Sequence, residues 1–217
     1  MKPVLILGNK NYSSWSLRGW LALRKAGIEF NEHPISLFTP EGDAQLTDET
    51  PAGLVPVLVD GETTVWESLA IAEYAAEHNP ALWPQDAGAR AWARSMAAEM
   101  HAGFAALRHA LPMNCRARGR RVELDAATRQ DVERIQRLWC DCRIKHGGDG
   151  PWLFGTFSVA DAMYAPVASR FTTYSIDGPA TVSDYVITVL ADPDVSEWYA
   201  AARDETEVIE EEEVGRI

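Results

Sequence analysis

The chain has 217 residues, a size that fits one large domain or two small ones. Its hydrophobic fraction of 47% is enough to bury a core and excludes wholesale disorder. The formal net charge of −12 argues against nucleic acid or an anionic membrane surface as a partner.

The apolar runs are too short to cross a bilayer, and the opening MKPVLILG reads as a strand rather than a signal peptide. Cys115, Cys140 and Cys142 are an odd count without framework spacing, which predicts a reducing, cytoplasmic compartment. Much of the charge is local. Asp204–Glu213 holds seven acids and no base, leaving the body at about −5. That run predicts a solvated or disordered acidic tail over 205–217.

In chain order, Pro3–Gly8 is a buried-type strand. Trp15–Lys25 carries Trp15, Trp20, Leu21 and Leu23 at helical positions, and Gly27 stops it. Residues 28–36 are extended, and 37–54 read as a loop. Val57–Val59 and Thr63–Trp66 form two strands around an Asp60-Gly61 turn, where glycine tolerates positive φ. Glu67-Ser68 then opens a helix with Ser68 as an N-cap type and Leu69, Ile71, Ala72 and Ala75 on its apolar face. A β-α-β unit followed by β-β-α predicts a thioredoxin-like α/β domain over 1–80.

His78–Gly88, with two prolines and a glycine, reads as an interdomain linker, set at 81–87. Beyond it, 88–204 reads as an all-helical domain. Trp92, Met96, Met100, Phe104, Leu107 and Leu111 predict one helix over 89–111, ended by Pro112. Further helices are expected over 124–146, over 157–170 behind a Ser158-x-x-Asp161 capping box, and near 181–190 and 195–203.

In a thioredoxin-like domain the reactive group sits between the first strand and first helix, where free N–H groups and partial positive charge collect. Here that turn, Asn9–Arg18, has no cysteine, which excludes a protein thiol at this position. It offers two hydroxyls, Ser13 and Ser14. One reading makes one of them a helix cap; the other makes one a donor to a thiolate brought in by a ligand. A free thiol has a pKa of ~8.5, and lowering it by two units takes ~2.7 kcal/mol. A charge-assisted hydrogen bond (~1.5–3 kcal/mol) with a helix N-terminus (~0.3–1 kcal/mol) suffices.

The motifs Ser13-Ser14-Trp15-Ser16-Leu17-Arg18, Val55-Pro56, Glu67-Ser68-Leu69-Ala70-Ile71 and Ser158-x-x-Asp161, in this order, resemble those of the cytosolic glutathione S-transferases over nearly the whole chain. The resemblance implies a thiol-activating role for Ser13 or Ser14 and a glutathione site at Val55, a cis Pro56, Glu67 and Ser68. Glutathione is then a co-substrate, with no metal or other cofactor. It further implies an electrophilic small molecule as second substrate, a helical domain shaping its pocket, and a homodimer. The Ser-Ser-x-Ser-x-Arg pattern is similar to the zeta class, which favours Ser13. Trp15, however, stands where that class has a cysteine, so a maleylacetoacetate-type isomerase is the alternative rather than the leading reading. A non-catalytic binding module of the same fold is a third.

Met100, Phe104 and Arg108 share a face of the expected 89–111 helix. They read as core for the first two, or, through the resemblance, as the wall of the acceptor pocket. Arg116, Arg118, Arg120 and Arg121 read as a solvated basic loop able to draw anionic ligands. Cys140-x-Cys142 with His146 is a poor metal set, because positions two apart diverge on a helix. Trp66, Trp83 and Trp92 are expected to be packing anchors.

Overall fold

A computed structural model describes residues 2–216; Met1, read with the opening strand, and Ile217, the last residue of the tail, lie outside the described residues. Strand β1 (Val4–Gly8) leads into helix α1 (Ser14–Ala26) and strand β2 (Asn31–Ile35). Helix α2 (Pro40–Glu49), strands β3 (Val57–Asp60) and β4 (Thr63–Trp66), and helix α3 (Ser68–His78) follow. The sheet order is β2-β1-β3-β4, with β2 parallel to β1 and the other pairs antiparallel. This is the thioredoxin-like arrangement the sequence predicts. Pro34 lies in edge strand β2, where a missing N–H is tolerated.

Gly27 ends α1 in the left-handed conformation, its N–H bonding the Arg24 and Leu23 carbonyls. Helices α1 and α3 pack together against the sheet. Their approach to the Val55-Pro56 loop is close: a Cβ on Gly19 of α1 would lie 3.1 Å from the Pro56 ring and 3.6 Å from Ile71.

The helical part comprises α4 (Ala87–Ala102), α5 (Ala105–Ala110), α6 (Ala126–His146), α7 (Val159–Thr173), α8 (Ala180–Ala191) and α9 (Pro193–Asp204). The capping box at the start of α7 is complete: Asp161 accepts from the Ser158 N–H at 2.8 Å and hydroxyl at 2.9 Å. Asp161 also accepts from the Leu153 N–H and the Tyr185 hydroxyl, which ties α7 to α8. Trp139 of α6 sits at the centre against Tyr164, Phe171 and Tyr185. Helix α7 is buried along most of its length and packs on both α1 and α4, so the thioredoxin-like unit and the helical unit share one apolar core.

Several expectations are corrected. The 37–54 loop contains α2, a helix too polar (PEGDAQLTDE) for an apolar period to reveal. Its signals are its ends instead: Thr39 caps Gly42 N–H at 3.0 Å and Pro40 stands at the first turn. The single 89–111 helix is two, because Gly103 is extended and Phe104 adopts φ 58°. Ser68 is the first residue of α3 rather than its cap; Glu67 holds the cap position at φ 70° and makes no side-chain cap bond.

The acidic segment is also not simply solvated. Ile209 is buried, and Glu205 and Glu213 fold back onto the body. Their partners include the arginine loop: Arg116 donates to the Glu205 and Glu207 carbonyls and to the Tyr12 hydroxyl, and Arg120 pairs with Glu213. One ion pair, Arg120 with Glu213, joins the two opposite charge runs, and Arg116 holds the acidic segment through its backbone carbonyls.

Candidate functional site

The turn from β1 to α1 is held from several directions. Asn9 accepts from the Ser13 N–H at 2.8 Å through its carbonyl and from the Leu37 N–H at 2.9 Å through its side chain. Asn11 bonds Asn114 and the Arg116 N–H with its side chain, and Trp198 donates to the Lys10 carbonyl at 2.8 Å. The Glu205 carboxylate accepts from the Lys10 and Asn11 N–H groups at 2.6 and 2.9 Å. A loop with its backbone donors and acceptors satisfied this way is a rigid platform for the serines that follow.

Ser13 is the N-cap of α1. Its Oγ accepts from the Ser16 N–H at 3.3 Å and donates to Ser16 Oγ at 2.8 Å, which in turn accepts from the Gly8 N–H at 3.0 Å. Ser14, the first residue of the helix, has a different partner: its Oγ accepts from Arg170 Nη2 at 3.2 Å. Both serines are buried yet line a cavity of about 450 Å³. Its walls include Leu37, Phe38, Leu46 and Met113, with Arg108, Arg170 and Glu212 as its charged groups.

A second cavity of about 240 Å³ adjoins the first, and Trp15, Leu54 and Val55 line both. Ala52, Pro56, Trp66, Glu67, Ser68 and His101 complete it, and the Val55-Pro56 peptide is cis. The Ser68 hydroxyl is buried without a hydrogen-bond partner, and Glu67 beside it holds a left-handed backbone uncommon for a non-glycine residue. Unsatisfied polar groups and strained backbones of this kind concentrate where ligands bind.

Trp15 is gripped by cations. The Arg18 guanidinium lies 4.3 Å and that of Arg108 5.4 Å from its ring centroid, and His101 meets it edge-on at 5.4 Å. Burial draws Arg18, Arg108 and Arg170 below the usual arginine range, with Arg170 at about 10. Burial pushes the Glu212 carboxyl up, opposed by the Arg170 charge. Burial likewise lowers the His101 imidazole, opposed by the Glu67 carboxylate 3.6 Å away.

The structure thus brings Ser13, Ser14, Val55, Pro56, Glu67, Ser68 and Arg108 to two adjoining cavities that share Trp15, Leu54 and Val55. Met100 and Phe104 are not among its lining residues. Both are buried in the core, because the break at Gly103 removes the shared face that the sequence reading assumed. Trp66, expected to be an anchor, is 47% exposed and lines the smaller cavity; Trp83 and Trp92 do pack, on Arg94 and His146. Sequence reasoning passed over Arg170, Glu212 and His101. A lone cation in the apolar run VADAMYAPVASRFTT was the available signal for Arg170. Cys142 packs against the Leu153 carbonyl, and no metal-suited group of three or more His, Cys, Asp or Glu occurs among the described residues. No helix among them is long and apolar enough to cross a membrane.

Comparison with known proteins shows what the chain is similar to. Residues 12–78 match the family model described as glutathione S-transferase, N-terminal domain. A probable maleylacetoacetate isomerase of Caenorhabditis elegans is 34% identical over 105 residues, 48% of each chain. A zeta-class glutathione S-transferase of Euphorbia esula is 39% identical over 83 residues, 36% of each chain. The chain spans about half or less of the length of these curated relatives. Among solved structures, a glutathione transferase homologue from Burkholderia with bound glutathione superposes with TM-score 0.73 at 23% identity, covering 94% of this chain and 100% of the other. An unclassified glutathione S-transferase from Bombyx mori reaches TM-score 0.74 at 20% identity, covering 94% of both chains. At these identities the superpositions establish the fold.

Proposed function

We propose that this chain, whose residues 12–78 match the glutathione S-transferase N-terminal domain model, is a glutathione transferase that binds glutathione along the two adjoining cavities and activates the thiol at the Ser13-Ser14 turn for transfer to an electrophilic small molecule. The observation that carries this reading is that the two cavities adjoin and share Trp15, Leu54 and Val55. A tripeptide gripped at Glu67 and Ser68 has a direct route for its sulfur to the serine turn.

In this reading Glu67 accepts from the γ-glutamyl ammonium. The Ser68 hydroxyl, buried and unpartnered, donates to the γ-glutamyl carboxylate beside the free N–H groups that open α3. The Val55 backbone pairs with the cysteinyl unit next to cis Pro56. A serine hydroxyl at the start of α1 then donates to the sulfur, and the positive end of the helix favours the thiolate. The serine is a donor and never a nucleophile. The second substrate occupies the larger cavity, where Leu37, Phe38 and Met113 offer apolar walls and Arg108 a cation.

We assign residues 1–80 to the glutathione-binding unit, 81–87 to the linker and 88–204 to the helical unit, and we expect a cytoplasmic homodimer. A second reading, glutathione-dependent cis–trans isomerisation by the same thiolate, is favoured by the relatives named maleylacetoacetate isomerase.

Retention on immobilised glutathione, followed by turnover of a generic aryl halide, tests the transferase reading. Binding without turnover of any electrophile points instead to a non-catalytic binding module. An isomerase forms product with no net consumption of glutathione. If Ser13→Ala and Ser14→Ala each leave turnover intact, the assigned mechanism is wrong.

A further inference from the structure

We propose that Ser14, and not Ser13, is the hydroxyl that stabilises the bound thiolate, and that Arg170 is the positioning residue that makes it so. This rests on the transferase reading and assigns roles within it.

Hydrogen-bond geometry separates two serines that are adjacent in sequence and equally buried. The Ser13 proton is already committed to Ser16 Oγ, and its oxygen caps the Ser16 N–H. Ser16 Oγ in turn holds the Gly8 N–H at the end of β1. Freeing the Ser13 proton for a sulfur gives up its bond to Ser16 Oγ, the link between the α1 cap and the hydroxyl that holds β1.

Ser14 is in the opposite situation. A guanidinium has five donors and no acceptor, so in the 3.2 Å contact with Arg170 Nη2 the serine oxygen must accept. Its single proton is left to point elsewhere. Among the described residues no acceptor takes it, and the residue lines the larger cavity beside Val55. A thiolate there meets a hydroxyl whose oxygen is polarised by a cation, the arrangement that makes a hydroxyl a stronger donor.

Arg170 cannot drift from this position. It is 3% exposed and lies on buried helix α7, and its Nε donates to the Leu111 carbonyl at 2.8 Å. Its Nη1 is buried with no partner, an uncompensated donor that a purely structural brace does not need. Glu212 offsets part of the charge from the cavity side, and Arg108 opposes it. A lysine at 170 keeps the charge but cannot hold Leu111 and Ser14 with one planar fork.

The test is the pKa of glutathione's thiol in the binary complex, read from thiolate absorbance in the ultraviolet against pH, together with kcat and KM. The wild-type protein is expected to hold the bound thiol below its free value of ~8.5. Ser14→Ala and Arg170→Met are each expected to raise it by about one unit, a tenfold loss of thiolate at neutral pH. The KM for glutathione should stay within about twofold, and kcat should recover at high pH. Ser14→Thr, which keeps the hydroxyl, should restore the wild-type profile, whereas Ser13→Ala should shift the thiol less than Ser14→Ala does. Because Arg170→Met leaves a cavity and a lost charge that could prevent folding, the Ser14 variants decide the matter alone if it does. A lowered thiol pKa in wild type that Ser13→Ala abolishes and Ser14→Ala preserves overturns the inference and leaves the transferase reading standing. No lowering in the wild-type complex defeats both.

Discussion

The Glu205 carboxylate bridges the backbone N–H groups of Lys10 and Asn11, 2.6 and 2.9 Å away, so the segment after α9 is bolted to the loop that presents the serines. Hydrogen bonds to a charged acceptor are each worth ~1.5–3 kcal/mol, and removing the acceptor leaves two donors unsatisfied. Glu205→Ala is therefore expected to destabilise the protein by about 2–3 kcal/mol. Glu205→Gln, which keeps one oxygen acceptor, should lose less. Urea unfolding midpoints at constant slope measure both. Equal stability of Glu205→Ala and wild type shows the contact to be incidental.

Ser68 offers the reverse case. Its hydroxyl is buried without a partner, so Ser68→Ala removes an unmet polar group and should leave stability unchanged or slightly raised. The same change removes the donor proposed for the γ-glutamyl carboxylate and should raise the KM for glutathione about tenfold, or ~1.4 kcal/mol. A fall in stability with an unchanged KM contradicts the role given to Ser68.

His101 sets a pH dependence of stability. Burial holds its imidazole below the ordinary value; the Glu67 carboxylate opposes this, while Arg18 and Arg108 reinforce it. The unfolded chain, with an imidazole near ~6.5, then binds the proton more readily than the folded one. The contribution is full above ~6.5 and is lost as pH falls through that value towards the depressed folded one. His101→Gln should flatten this part of the curve, read as unfolding midpoints between about pH 5 and 7.5. If the variant shows the same acid slope as wild type, other groups carry it.

Phe38 and Met100 separate pocket from core. Phe38 lines the larger cavity at 66% exposure, whereas Met100 is 0% exposed and lies within the apolar core. Phe38→Ala should change acceptor KM severalfold with little change in stability, and Met100→Ala should cost ~2–5 kcal/mol while acceptor preference is retained. Thermal unfolding and acceptor kinetics on both variants check the division.

Much of the fold was legible because its signals are local. The apolar VLILG run, the Gly27 stop, the Asp60-Gly61 turn and the Ser158-x-x-Asp161 box act within a few residues, and each lies where the sequence indicates. Helix α2 escaped because its surface is polar, and the break between α4 and α5 escaped because Gly103 and Phe104 interrupt an apolar period that runs on across them. The acidic run reads as a solvated tail, since nothing within it indicates that Arg116 and Arg120 meet it.

The sequence by itself determined the order of elements, the cysteine-free serine turn and the Glu67-Ser68 helix start, all of which follow from residue type and spacing. Only the tertiary structure decided which serine keeps a free proton. Ser13 is committed to a neighbour three residues on, while Ser14 is engaged by Arg170, 156 positions away on α7. A hydroxyl's chemistry depends on which groups its oxygen and proton meet, and for Ser14 that group arrives only when the helical part packs on α1.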